Sequence, residues 1–210
     1  MKHHRFTNSQ GTITVRDCDS GGIFKSRLES LGFIRAYLGP DVASVHLQSP
    51  VIRYTDVAGK RRRYTGDLHV RFQERAKRRP LVIECKYEDA LQADPALVTK
   101  LKHVGREFDG LGFDFCVQTE KIIKAADLLM MRFVFDHGNL DPHPVSKQVM
   151  DCMRVHKTLS LEQLIKTLGL GTLAGYEIIP EVWRLVACRQ LAVDFKEILN
   201  LSAKIHMPSV

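Results

Sequence analysis

Leu81-Val82-Ile83-Glu84-Cys85-Lys86 reads as a short buried strand that ends in two charged side chains. Side chains on a strand alternate faces, so Glu84 and Lys86 share one face and Ile83 and Cys85 the other. A carboxylate and an ammonium closing an apolar run make either a structural ion pair or a metal-dependent hydrolytic site. Upstream carboxylates decide between the two. Asp67, at the end of Arg63-Tyr64-Thr65-Gly66-Asp67, lies 17 residues earlier, and Glu29 falls on the helix predicted before it.

Outward from this strand the elements order themselves. Asp19 or Ser20 is positioned to cap a helix from about Ile23 to Leu38, with Leu28, Leu31, Ile34 and Leu38 as its apolar stripe. Gly39-Pro40 stops it. Val45 to Tyr54, Arg61 to Phe72 and Leu81 to Lys86 then predict a three-stranded meander with glycine-containing and charged turns. In the middle strand Tyr64, Gly66, Leu68 and Val70 take one face and Thr65, Asp67, His69 and Arg71 the other. Pro95 opens a helix carrying Leu97, Leu101, Val104 and Phe108, followed by a strand over Phe113 to Gln118. Thr119-Glu120 opens a further helix through Ile122, Ile123, Ala126, Leu129, Met130 and Phe133. This order predicts an α/β core with a mixed sheet.

Residues 136–144 are rich in Pro, Gly and acids and read as a linker. Asp136, His137, Asp141 and His143 are metal-capable types, but their spacing is irregular and they read as a decoy. Beyond them a helix with Val149 and Met153, a capped start at Ser160-Leu161-Glu162-Gln163, a helix through Ile178, Val182, Trp183 and Val186, and a strand over Leu191 to Phe195 give a winged-helix-like pattern that serves DNA or protein binding. The expected layout is an N-terminal arm over 1–19, a catalytic domain over 20–137, a linker over 138–144 and a winged-helix-like α domain over 145–210.

The net charge of +7 is concentrated: between Lys60 and Lys86 stand ten Lys or Arg against Asp67, Glu74 and Glu84. The positive field therefore surrounds the suspected site, as a polyanion-binding protein requires. The five cysteines are odd in number, widely spaced and without a CxxC pair, which predicts free thiols and excludes a zinc ribbon or disulfide scaffold. Met1 to Arg5 leads into polar residues and no apolar run approaches a membrane span, so a cytoplasmic protein without signal peptide or membrane partner is expected.

Phosphodiester hydrolysis needs an activated water and relief of negative charge on the phosphate. Mg²⁺ held by carboxylate and carbonyl oxygens supplies both, with Mn²⁺ as the natural substitute. Asp67 and Glu84 offer two carboxylates, the backbone carbonyl of Cys85 a third oxygen, and Glu29 either a further ligand or a proton acceptor. Lys86 is placed to position the water or stabilise the phosphorane. Gln48, Lys60, Arg61, Arg62, Arg63, His69 and Arg71 are the candidate DNA contacts.

Glu29-Ser30 on the first helix, Gln48-Ser49-Pro50, Arg63-Tyr64-Thr65-Gly66-Asp67-Leu68 and Val82-Ile83-Glu84-Cys85-Lys86 together resemble the motif series of the TnsA endonucleases, members of the PD-(D/E)XK, restriction-endonuclease-like fold. The resemblance covers roughly residues 20–135. It implies Glu29, Asp67, Glu84 and Lys86 as the catalytic set. It also implies a bacterial transposase subunit that cuts the 5′ (non-transferred) strands at transposon ends, beside a TnsB-type DDE transposase and a TnsC-type AAA+ ATPase. Gly66 stands where the family commonly has Pro, and Tyr87 follows the lysine where Pro is frequent. Two other readings share these residues: a Holliday-junction resolvase or restriction-type nuclease of the same fold, and a DNA-end-binding assembly subunit without catalysis.

Overall fold

A computed structural model describes residues 3–8, 11–16, 24–122, 125–169 and 172–208, with the backbone alone for 3–16, 125–126 and 172–174. The chain divides into two compact units, 1–124 and 125–210. Among the described residues no helix is long and apolar enough to cross a membrane.

In the first unit, β1 (His3–Asn8) and β2 (Gly11–Arg16) pair as an antiparallel hairpin where the polar sequence predicts a loose arm. Helix α1 (Arg27–Tyr37) starts later than predicted because Ser26 is its cap: Ser26 Oγ accepts from Glu29 N at 3.1 Å. Asp19 and Ser20 lie outside the described residues.

The three long strands of the expected meander are five short ones. β3 (Val42–Leu47) and β4 (Val51–Thr55) are separated at Gln48-Ser49-Pro50, and β5 (Arg61–Thr65) and β6 (Leu68–Phe72) at Gly66-Asp67. The breaks have local causes. Gln48 takes a left-handed backbone (φ 50°), and Pro50 has no N–H to give a ladder. Two bonds stitch the breaks together, Gln48 N to Asp67 O at 2.8 Å and Gly66 N to Pro50 O at 3.2 Å. The result is a two-stranded ribbon, β4–β5, and a four-stranded sheet in the order β3-β6-β7-β8, where β7 is Leu81–Cys85 and β8 is Asp114–Gln118. β3, β6 and β7 are antiparallel and β7–β8 is parallel, so the sheet is mixed as predicted.

Helices cover both faces of this sheet. After the short α2 (Glu88–Ala93), α3 (Pro95–Gly110) is capped by Asp94 and buries Leu101, Val104 and Phe108 against Val82 and the ribbon residues Ile52, Tyr54 and Tyr64. α1 takes the other parity of β7. A Cβ on Gly32 would stand 3.1 Å from Cys85 Sγ, so glycine here lets the helix lie close to the strand without displacing that side chain. Phe24, Leu28, Phe33 and Ile34 are buried, each such side chain contributing about 1.5–3 kcal/mol relative to exposure.

The second unit begins with α4 (Ala125–His137), which the sequence assigned to the first domain. Its buried residues are Val134 and Phe135, and Val134 joins a core with Val149, Met153, Leu164, Val182 and Trp183. Leu129 and Phe133, expected on its inward stripe, are exposed at 72% and 49%. α5 (Ser146–His156), β9 (Thr158–Ser160), α6 (Leu161–Thr167), α7 (Thr172–Glu177), α8 (Ile179–Ala187), β10 (Ala192–Val193) and β11 (Lys204–His206) follow. The strands form an antiparallel sheet in the order β10-β11-β9. Ser160 and Gln163 make the capping box their spacing predicts. Cys85, Cys116, Cys152 and Cys188 are free thiols, and Cys18 lies outside the described residues.

Candidate active site

The breaks in the strands and the glycine on α1 bring four sequence-predicted residues together. Asp67 sits at the β5–β6 break, Glu84 in β7, Lys86 just beyond it, and Glu29 on the first turn of α1. Glu29, Asp67 and Glu84 are 7%, 7% and 6% exposed, so three carboxylates are taken out of water within one neighbourhood.

Lys86 Nζ stands 2.6 Å from Glu84 Oε1, 3.9 Å from Asp67 Oδ2 and 3.2 Å from the Cys85 carbonyl oxygen, to which it donates. Asp67 Oδ2 accepts from Cys85 N at 2.9 Å, which fixes the aspartate across the β6–β7 pair. The strand thus offers the carbonyl of Cys85 to the site and uses its N–H to orient Asp67. Glu29 Oε2 accepts from Lys25 N at 2.9 Å, reaching back over the helix start, and Lys25 Nζ donates to Gln48 Oε1 at 2.8 Å. Gln48, read from sequence as a DNA contact, is therefore tied to the helix start that holds Glu29.

The electrostatics follow from burial. Burial raises the Glu84 carboxyl above its ordinary value, and the charge of Asp67 adds to this against the Lys86 hydrogen bond. Glu29 is raised chiefly by burial, opposed by the Lys25 N–H and reinforced by Asp67. Burial alone would lower the Lys86 ammonium, but Glu84 and Asp67 outweigh it and hold the lysine above its ordinary value, hence charged. Burial and then the neighbouring carboxylates push the Cys85 thiol up, so this cysteine is neutral and contributes its backbone.

The sequence reads Glu84 as a metal ligand in preference to a partner for Lys86. In the structure Oε1 pairs with Lys86, and Oε2 is buried without a hydrogen-bond partner. Tyr64 was missed as part of the site. Its buried hydroxyl lies beside Glu84 without the geometry of a hydrogen bond, and burial followed by the Glu84 charge keeps the phenol protonated. A buried carboxylate oxygen with no donor, in a pocket whose negative charge exceeds its positive, fits a hard divalent cation. Among the described residues no three His, Cys, Asp or Glu side chains converge into an all-protein cage. Two carboxylates and a carbonyl match the sparser protein shell that Mg²⁺ takes.

A family model described as TnsA-like endonuclease N terminal matches residues 39–120. Residues 39–120 are similar to the N-terminal domain of TnsA-like endonucleases. The match spans β3 to β8 and includes Asp67, Glu84, Cys85 and Lys86, while Glu29 on α1 lies before it. No curated protein sequence matches the chain.

Around this TnsA-like domain the predicted DNA contacts separate. Lys60, Arg61, Arg63 and Arg71 are exposed. Arg62 is held by Asp56 at 2.8 Å. His69 is half-buried, its ring against Phe113 and opposite His46 and its Nε2 buried without a partner, so it belongs to the sheet packing and offers no phosphate contact through that atom. The metal-capable types near 136–144 are used locally: Asp136 pairs with Arg132, His137 Nδ1 meets Phe133 O, and His143 Nδ1 accepts from Val145 N.

Proposed function

We propose that this protein is a Mg²⁺-dependent DNA endonuclease subunit of a heteromeric transposase, cutting the 5′ (non-transferred) strands at transposon ends, with Mn²⁺ able to substitute. The observation that carries the reading is the cluster of buried Asp67 and Glu84 with Lys86, and the unpartnered Glu84 Oε2 within it, inside the segment that matches the TnsA-like endonuclease model. Asp67, Glu84 and the Cys85 carbonyl would hold the metal, which supplies Lewis-acid relief of phosphate charge and a more acidic water. Lys86, kept charged, orients the attacking water and faces the charge that develops on the phosphate. Glu29 lies within electrostatic reach of Asp67 and Lys86 and takes the proton. Tyr64 and the sheet keep bulk water from Glu84.

The second unit supports a winged-helix reading by its order: helix α5, strand β9, helices α6 to α8, then the β10–β11 hairpin. In that motif the last helix enters a DNA groove. Here every residue from Glu181 to Ala187 is buried, and Tyr176 and Glu177 are what the described part of the preceding turn exposes. That favours docking to the TnsB-type transposase or the TnsC-type ATPase over gripping DNA.

Asp67→Ala and Lys86→Ala are expected to abolish nicking by the full-length chain in a reaction reconstituted with its partner transposase, DNA ends and Mg²⁺, while far-UV circular dichroism stays native. Wild-type nicking by either variant overturns the assignment.

A further inference from the structure

The basic residues of the 73–80 turn and those of the β4–β5 ribbon have different fates. Three arginines of the turn are engaged: Arg75 pairs with Asp41 at 2.9 Å, Arg79 with Asp109 at 2.8 Å, and Arg78 lies 3.8 Å over the Phe72 ring. The ribbon is different. Its register sets Val51 opposite Thr65, Arg53 opposite Arg63 and Thr55 opposite Arg61, and these pairs share one face. The other face, with Ile52, Tyr54 and Tyr64, is sealed against α3.

Arg53, Arg61 and Arg63 are all exposed, and none makes an ion pair among the described residues. Arg53 directly opposite Arg63 is a like-charge pair, an arrangement that opposes folding unless an anion is present. Arg62 breaks the apparent run: it lies opposite Tyr54, on the other face, and is neutralised by Asp56. Asp67 follows Arg63 by four residues of chain, which span no more than about 14 Å.

We infer that the outer face of the ribbon, Arg53 with Arg61 and Arg63, tracks the sugar–phosphate backbone of duplex DNA towards Asp67. Its inner face is packed against α3, so the face the ribbon offers to a ligand is the outer one, which carries three arginines. It therefore contacts phosphates and reads no sequence. This rests on the endonuclease reading and adds Arg53 while removing Arg62 from the DNA contacts.

The test is binding of the full-length chain to a short duplex of arbitrary sequence without Mg²⁺, by fluorescence anisotropy across a salt series. For Arg53→Gln/Arg63→Gln the slope of log affinity against log salt should fall by about 1.8, roughly 0.9 for each phosphate that is no longer neutralised. Arg62→Gln should keep the wild-type slope, and a second duplex of unrelated sequence should show the same pattern. An unchanged slope in the double variant, or an equal fall for Arg62→Gln, overturns the inference; the former would point to an acidic protein partner for this face. Because no cleavage is involved, failure here leaves the Asp67 and Lys86 assays to judge the nuclease reading separately.

Discussion

At the scale of single residues the site is a charge imbalance that the fold maintains. Three buried carboxylates face one half-buried ammonium, and Glu84 Oε2 has no donor, a situation costing about 1–3 kcal/mol or more for a charged group. A cation removes that cost. Wild-type protein should therefore show a thermal midpoint that rises with Mg²⁺, by linkage about 2.7 kcal/mol at a hundredfold excess over the dissociation constant. Glu84→Gln relieves the buried charge and should be at least as stable as wild type without metal, yet gain little from it. Differential scanning calorimetry with and without Mg²⁺ checks this, and an equal metal-induced shift in wild type and Glu84→Gln would remove Glu84 from the ligand set. Glu84 and Lys86 stood out as charges closing an apolar strand, and Asp67 as the lone acid in a basic one. Tyr64 did not, since an alternating aromatic in a strand normally signals core alone. Gln48 was legible as a candidate DNA contact, and its backbone adds that a non-glycine residue at φ 50° beside Asp67 holds strain of the kind that collects at functional sites.

At the scale of elements, the two strand breaks do the positioning. An unbroken meander with period-two alternation would set Asp67 in an ordinary ladder. The break at Gly66 instead lets its side chain reach Cys85 N. A Cβ at Gly66 would stand 2.5 Å from Val82 Cγ1 and 3.0 Å from Ser49 O, and neither a short branched side chain nor backbone yields easily. The Gly66 N–H also bonds Pro50 O, which the family's proline could not do. Gly66→Ala is thus expected to cost about 1–3 kcal/mol as overpacking. The check is urea unfolding followed by far-UV circular dichroism, where a wild-type midpoint would mean that the strands can part to admit the methyl group. Periodicity predicted where strands lie but not that they break, because Val45 to Tyr54 and Arg61 to Phe72 keep their alternation on both sides of each interruption. The helix start was misplaced for a similar reason: Asp19, Ser20 and Ser26 are all capping types, and the choice of Ser26 depends on Glu29 N lying within its reach.

At the scale of the whole molecule, the helix α4 shows how a correct element can be given to the wrong unit. Its apolar residues run almost all the way round, so a stripe through Leu129 and Phe133 looked as good as one through Val134 and Phe135. The core that receives it contains Trp183, the single tryptophan of the chain, which makes the second unit separately observable. Beside Trp183 lies a buried ion pair: Glu181 accepts from Arg184 Nε at 2.7 Å and Nη2 at 2.8 Å, from His143 N at 3.2 Å and from Ser146 Oγ. Burial alone would raise the Glu181 carboxyl, but these donors outweigh it and hold it below the ordinary glutamate value of 4.5. A lowered acid stabilises fully above its unfolded pKa and loses that contribution as pH falls through its folded one. Glu181→Ala leaves Arg184 buried and unpaired, so the Trp183 fluorescence transition in urea should drop by about 3–5 kcal/mol near neutrality. The gap from wild type should close as pH falls below about 4.5. Glu181→Leu/Arg184→Met, which removes both charges, should recover most of the loss, while the Mg²⁺-dependent shift of the first unit stays as in wild type. A Glu181→Ala protein whose Trp183 transition matches wild type at neutral pH would mean that the pair is solvated in solution and that the apolar packing of Val134, Val182 and Trp183 alone holds this unit together.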